Sequence, residues 1–90
     1  MIAKRVFYEG RVQGVGFRYS VRSLATGYEV VGSVRNLIDG RVELEVQGAP
    51  DEVDGFLEAI LDGYLRRYIS RFVVQEIPPK IGLKGFQIRH

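Results

Sequence analysis

The sequence has no cysteine, no tryptophan and a single histidine, His90, which is its last residue. The absence of cysteine excludes disulfide bonds, thiolate nucleophiles and cysteine-ligated metals, and it fits a protein of the reducing cytoplasm. We do not expect the terminal imidazole to act as a catalytic base.

Long apolar runs are also absent. No stretch approaches the roughly 20 residues that span a bilayer, and residues 1–10 lack the apolar run of a signal peptide. The net charge is only +2, far from the dense basic surface of a dedicated nucleic-acid-binding protein. We expect a single domain over residues 1–90, monomeric and cytoplasmic, with no membrane or nucleic-acid partner.

Hydrophobic periodicity predicts the secondary structure of the first half of the chain. A strand over Ala3–Val12 is followed by a helix from Phe17 to about Thr26, with Gly27 as a left-handed stop. Two strands then flank Asp39-Gly40, a pair that is typical of a type I′ hairpin turn. On the second of these strands, Glu43 and Glu45 alternate with apolar residues, which predicts a solvated face.

The second half begins with a helix opened by Pro50, with an apolar stripe at helical spacing. Residues 64–70 fit either an extension of that helix or a connection. The basic and aromatic residues of 64–72 interleave as in some nucleic-acid-binding surfaces, but the weak net charge favours a helix end with an apolar edge and a charged rim. Residues 71–77 read as a strand that Pro78-Pro79 stops, and residues 85–90 as a short edge strand. The order predicts an α+β, ferredoxin-like sandwich (βαββαβ), with an antiparallel sheet of four to five strands and two helices on one face.

The glycine-rich stretch GRVQGVGFR, Gly10 to Arg18, lies between the first strand and the first helix. Such a loop can turn successive backbone N–H groups toward one anion, and the helix N-terminus adds partial positive charge. Arg18, in the first helical turn, can make two parallel hydrogen bonds to a phosphate. Taken alone, however, this spacing is more often a tight turn with a solvated arginine.

A second polar feature is Asn36, at the end of a strand whose neighbours on the same face are Val34 and Gly32. In a strand beside the first one, its amide would reach the mouth of the glycine loop, where it could hold a water in one orientation. Taken alone, asparagine at this place more often shapes the following turn.

The two features together closely resemble the acylphosphatase family. The family pattern is Gly-x-Val-Gln-Gly-Val-x-Phe-Arg, then Gly-x-Val-x-Asn, then Asp-Gly-x-Val. The chain matches it with Gly10, Val12, Gln13, Gly14, Val15, Phe17 and Arg18, then Gly32, Val34 and Asn36, then Asp39, Gly40 and Val42. The resemblance covers nearly the whole chain. It departs from many relatives at Ser33, where they carry a large aromatic residue, and in residues 62–72.

The resemblance implies hydrolysis of small acyl phosphates to a carboxylate and inorganic phosphate, without a metal, a cofactor or a phosphoenzyme. It implies that Asn36 positions the attacking water and that Arg18 binds the phosphate. Inorganic phosphate or sulfate would bind as product-like ligands. The implied phosphate-binding residues are Arg11, Val12, Gln13, Gly14, Val15, Gly16, Phe17 and Arg18.

Two alternatives remain open at this point. One is a carbamoyl-phosphate-handling domain like that at the start of hydrogenase maturation proteins. The other is a non-catalytic module that binds phosphate or RNA, since fold alone does not decide function.

Overall fold

A computed structural model describes all 90 residues of the chain. None of its helices is long and apolar enough to cross a membrane. In chain order the elements are β1 (Ile2–Gly10), α1 (Phe17–Ala25), β2 (Val30–Asn36), β3 (Val42–Gly48), α2 (Pro50–Asp62), a short 3₁₀ helix (Tyr64–Tyr68), β4 (Ile69–Ile77) and β5 (Phe86–Arg89).

The strands form one sheet in the order β4-β1-β3-β2-β5. The first four strands pair antiparallel, whereas β5 pairs parallel with β2, with Gly32 opposite Phe86 and Arg35 opposite Arg89. The predicted ferredoxin-like α+β fold is confirmed, with a mixed sheet in place of a purely antiparallel one. The last strand is parallel because the chain crosses the sheet from the β4 edge to the β2 edge before it pairs.

The hydrophobic core lies between one face of the sheet and the two helices. Alternate strand residues point into it, as the pleat requires, and both predicted helical stripes contribute. The fully buried side chains include Val6 and Tyr8 of β1, Phe17 and Val21 of α1, Leu44 of β3, and Val53, Phe56 and Ile60 of α2. Phe17, the first residue of α1, thereby fixes where the glycine loop ends.

The first helix ends differently from the expectation. It stops at Ala25, and Gly27 does not have a positive φ angle. Instead, the N–H groups of Thr26 and Gly27 donate to the carbonyls of Ser23 and Leu24, and the Thr26 hydroxyl donates to Ser23 as well. These local bonds end the helix without a left-handed residue.

The opposite face of the sheet carries no helix, and the prediction that its acids are solvated was wrong. Glu45 is 15% exposed and accepts two hydrogen bonds from Arg5, its cross-strand neighbour, at 2.6 and 2.8 Å. Glu43 is 12% exposed and pairs with Arg35 at 2.9 Å. The loop over residues 78–85 lies against this face, where Lys80 Nζ also reaches Glu45 at 3.4 Å. We call this surface the open face of the sheet.

Glu45→Gln is expected to lower the free energy of unfolding by about 1–2 kcal/mol near neutral pH, because charge-assisted hydrogen bonds are lost. Burial alone raises the pKa of Glu45, but the hydrogen bond from Arg5 and the charge of Lys80 outweigh it, so its pKa is lowered. A lowered pKa stabilises the fold above the ordinary value of about 4.3 and ceases to do so as the pH falls through the lowered value.

Urea unfolding as a function of pH measures this difference, which should shrink below about pH 4. Glu58→Gln is the control, since Glu58 is exposed and makes no ion pair. A difference of equal size at pH 3 and pH 7 would contradict the ionic origin.

Candidate active site

The loop between β1 and α1 takes its shape from two glycines. Gly14 and Gly16 have φ angles of 78° and 76°, in the left-handed region that other residues rarely adopt. Gly16 directly precedes the first residue of α1. The glycine pattern is therefore a backbone requirement of this turn.

Gly16→Ala is expected to lower the free energy of unfolding by about 1–2 kcal/mol, the cost of a left-handed L-residue. No atom lies within 4 Å of the position of a Cβ there, so the cost is conformational and not a clash. Denaturant unfolding measures it. Gly27→Ala is the control, because Gly27 has no positive φ angle, and an equal loss in both variants would contradict this origin.

The backbone N–H groups of residues 12–16 make no hydrogen bond to any backbone carbonyl or side chain of the chain. The N–H groups of Phe17 and Arg18 follow them in the first turn of α1, where helical donors have no partner within the helix. Arg11 differs from the expectation, because its N–H donates to the Tyr68 carbonyl at 2.9 Å. The free donors thus begin at residue 12.

Gln13 holds the loop in place. Its Nε2 donates to the carbonyls of Leu37 and Arg41, at 2.7 and 2.9 Å, in the turn between β2 and β3. That turn is not type I′, because Gly40 has a positive φ angle and Asp39 does not. The Leu37 N–H donates to Arg41 and the Gly40 N–H donates to Leu37, which closes a wider turn with two carbonyls facing Gln13.

A cavity of about 210 Å³ brings Arg18 and Asn36 together with part of the predicted loop. The loop, the start of α1 and the end of β2 meet there. Its lining is Val12, Gly14, Gly16, Phe17, Arg18, Tyr19 and Asn36. Three residues of the predicted phosphate-binding set, Arg11, Gln13 and Val15, do not line it. No carboxylate or imidazole lines it either, so its only charge is the Arg18 guanidinium.

Asn36 carries an unusual side chain. Its Oδ1 is buried and is the one buried side-chain nitrogen or oxygen atom without a hydrogen-bond partner. An unpaired buried acceptor is costly, and such atoms in native proteins call for an explanation such as a ligand or an ordered water. The unpaired oxygen belongs to a residue that lines the cavity with Arg18.

The Arg18 guanidinium is held from the C-terminal strand. Its Nη1 donates to the backbone carbonyl of Arg89 at 3.2 Å and lies 3.4 Å from Nδ1 of His90. No sequence motif predicts this contact, because none indicates that β5 ends beside α1. It follows from the parallel pairing of β5 with β2.

Below the cavity, Tyr8 packs against Phe17 with ring centroids 5.4 Å apart. Burial raises the pKa of the Tyr8 hydroxyl, so it stays neutral and offers no base at ordinary pH. Tyr8 therefore adds no charge beside the cavity, whose one charged lining residue is Arg18.

Known proteins match this chain in both sequence and fold. The family model described as Acylphosphatase matches residues 4–88. An acylphosphatase of Bacillus licheniformis is 37% identical over 90 residues, which are all of both chains. The crystal structure of acylphosphatase from Bacillus subtilis superposes with a TM-score of 0.90 at 36% identity, again over both whole chains.

A further match is full-length HypF in a phosphate- and nucleotide-bound form, at 28% identity and a TM-score of 0.86. It covers 99% of this chain and 12% of that one. Fold and similarity define a ferredoxin-like α+β hydrolase domain. The chain belongs to the acylphosphatase family, and it is an enzyme with that activity.

Proposed function

We propose that the cavity described above is the active site, in which Arg18 and the loop N–H groups bind the phosphate of a small acyl phosphate and Asn36 orients the attacking water. The observation that carries the proposal is the buried Oδ1 of Asn36, which has no hydrogen-bond partner. Asn36 lines the same cavity as Arg18, the only arginine there.

The phosphate would be bound by main-chain donors and one fixed charge. The free N–H groups of residues 12–16 and those of the first turn of α1 supply hydrogen bonds, and the helix dipole adds partial positive charge. A guanidinium donates two parallel bonds to phosphate oxygens. We leave Arg11 out of this set because its N–H already donates to Tyr68.

The attacking water would be held by Asn36. Its Oδ1 accepts a hydrogen from water, which turns a lone pair of that water toward the phosphorus atom. Holding the water in this orientation removes much of the entropic cost of the reaction. In the transferring step the water oxygen bonds to phosphorus while the bond from phosphorus to the acyl oxygen breaks, and the electron pair leaves with the carboxylate.

This chemistry explains why so few groups suffice. A carboxylate is a weak base and departs without being protonated. The transition state is loose, with negative charge on the peripheral phosphate oxygens that the donors contact. Because no carboxylate or imidazole lines the cavity, we propose that the proton of the water passes to a phosphate oxygen.

Other properties of the protein stay predictions. A small acyl phosphate is the expected substrate, with phosphate or sulfate as product-like ligands, and the expected state is a cytoplasmic monomer without a nucleic-acid or membrane partner. The cysteine-free composition supports the cytoplasm.

Release of phosphate from benzoyl phosphate and acetyl phosphate, in the presence of EDTA, tests the proposal. We expect turnover that the chelator does not change. Loss of turnover on chelation would contradict the mechanism. Hydrolysis of carbamoyl phosphate in strong preference to both would favour the carbamoyl-phosphate alternative, and RNA binding without turnover would favour the binding module.

A further inference from the structure

A second cavity, of about 390 Å³, lies on the open face of the sheet. Strand residues that point away from the helices form its floor, among them Ser33 of β2 and Gln87 of β5. The loop over residues 78–85 forms its wall. The cavity shares no lining residue with the active-site cavity, and its volume is in the range of small-molecule sites. We call it the open-face cavity.

The wall of the open-face cavity is fixed by Gln47, which is only 5% exposed. Its Nε2 donates to the Lys80 carbonyl at 2.8 Å, and its Oε1 accepts from the Lys80 N–H at 2.9 Å. Both ends of one buried amide therefore hold the crossing loop against β3. The cavity is preformed and needs no loop closure to exist.

The charge of the open-face cavity is positive. Three cations line it, Lys80, Lys84 and Arg89, against a single acid, Glu45. That acid is already paired with Arg5 and Lys80. The side chains of Lys84 and Arg89 make no hydrogen bond or ion pair within the chain, so two cations are free to bind a ligand.

Neutral donors and apolar surface complete the lining. The side chains of Ser33 and Gln87 make no hydrogen bond within the chain, and Val31 and Leu83 provide apolar walls. A bare phosphate ion would occupy only part of 390 Å³. The lining suits an anion with several charged groups on a small organic body.

We propose that the open-face cavity binds a small organic polyanion, with at least two carboxylate or phosphate groups, on Lys84 and Arg89. Binding at this site does not depend on the proposed function, whereas its connection to the active site, argued next, rests on that function. Carboxylates and phosphates share the chemistry that these cations recognise.

Arg89 connects the two sites. Its side chain lines the open-face cavity, while its backbone carbonyl accepts the hydrogen bond from Arg18. A ligand that holds the Arg89 side chain also restrains the carbonyl that positions the catalytic guanidinium. Binding at the open-face cavity therefore tightens phosphate binding at the active site, and phosphate tightens polyanion binding by the same factor.

The test uses ¹⁵N-labelled protein whose active site is saturated with inorganic phosphate. Citrate and, separately, tripolyphosphate are titrated at constant ionic strength. We expect saturable shifts of the amide signals of Ser33, Gln47, Lys84 and Gln87, with a Kd at or below about 1 mM for at least one probe. The stronger probe identifies the ligand as a carboxylate or a phosphate.

Lys84→Ala is expected to weaken binding about tenfold, the effect of one charged hydrogen bond. Arg67→Ala, which removes an exposed cation without any pairing, is the matched control and leaves the Kd unchanged. Ser33→Phe fills the cavity and abolishes binding; if that variant does not fold, Lys84→Ala decides the outcome.

Two results would indicate general counterion binding and overturn the site. One is amide shifts that do not saturate with either probe, and the other is an equal rise in the Kd of the probe in Lys84→Ala and Arg67→Ala. Shifts confined to residues 12–18 overturn it as well. For the connection through Arg89, the Kd of inorganic phosphate should fall about fivefold with the stronger probe at saturation, and an unchanged Kd overturns that connection.

Discussion

Arg18→Ala is expected to lower kcat/KM for benzoyl phosphate by about 10³-fold or more, the range found for arginines that stabilise a transferring phosphoryl group. The variant removes the only charge in the cavity and both hydrogen bonds that a guanidinium offers to phosphate oxygens. The Kd of inorganic phosphate should rise as well, because the product carries the same oxygens. Steady-state kinetics and a phosphate titration measure the two effects.

Two further variants separate charge from geometry. Arg18→Lys keeps the charge but loses the planar pair of donors, so its activity should lie between those of the wild type and Arg18→Ala. Arg67→Ala is the matched control, because Arg67 is exposed, unpaired and outside the cavity. If the Arg18 variants keep near-normal kcat/KM, or if Arg67→Ala loses as much, the assigned role is wrong.

Asn36→Ala is expected to lower kcat by about 10²–10³-fold while the Kd of inorganic phosphate stays within about twofold. The split arises because the amide orients water and does not hold the phosphate. The variant should also unfold at the same or a slightly higher denaturant concentration, since it removes a buried acceptor that makes no hydrogen bond.

The stability measurement distinguishes this role from a structural one. An asparagine that served only to shape the turn before Asp39 would destabilise the fold when replaced. Gln75→Ala is the control, since Gln75 is an exposed amide on β4 and should change neither quantity. A normal kcat for Asn36→Ala, or a fall in kcat that merely follows a fall in stability, would contradict water positioning.

The sequence predicted the elements of this site well, because short-range patterns determine them. The stripe of Val53, Phe56 and Ile60 gave the second helix, and all three are buried. The positive φ angles of Gly14 and Gly16 explain the glycine spacing of the loop. Arg18 and Asn36 line one cavity, as we expected, but the expectation that the strand of Asn36 lies beside β1 was wrong, because β3 lies between β1 and β2.

Features that depend on distant parts of the chain could not be predicted in this way. Glu45 alternates with apolar residues like any solvated strand acid, yet it is covered because Lys80 crosses the open face. The contact between Arg18 and Arg89, which are 71 positions apart in sequence, depends on β5 joining the sheet parallel to β2. Alternation along one strand contains no information about which loop later lies over it.

The hydrogen bond between Arg18 and Arg89 has a consequence for synthesis. The glycine loop, Arg18 and Asn36 are translated before β5, whose Arg89 carbonyl accepts the hydrogen bond from the guanidinium. A nascent chain would therefore carry these residues before the guanidinium has this contact. We expect the contact to form only once β5 has left the exit tunnel and joined β2.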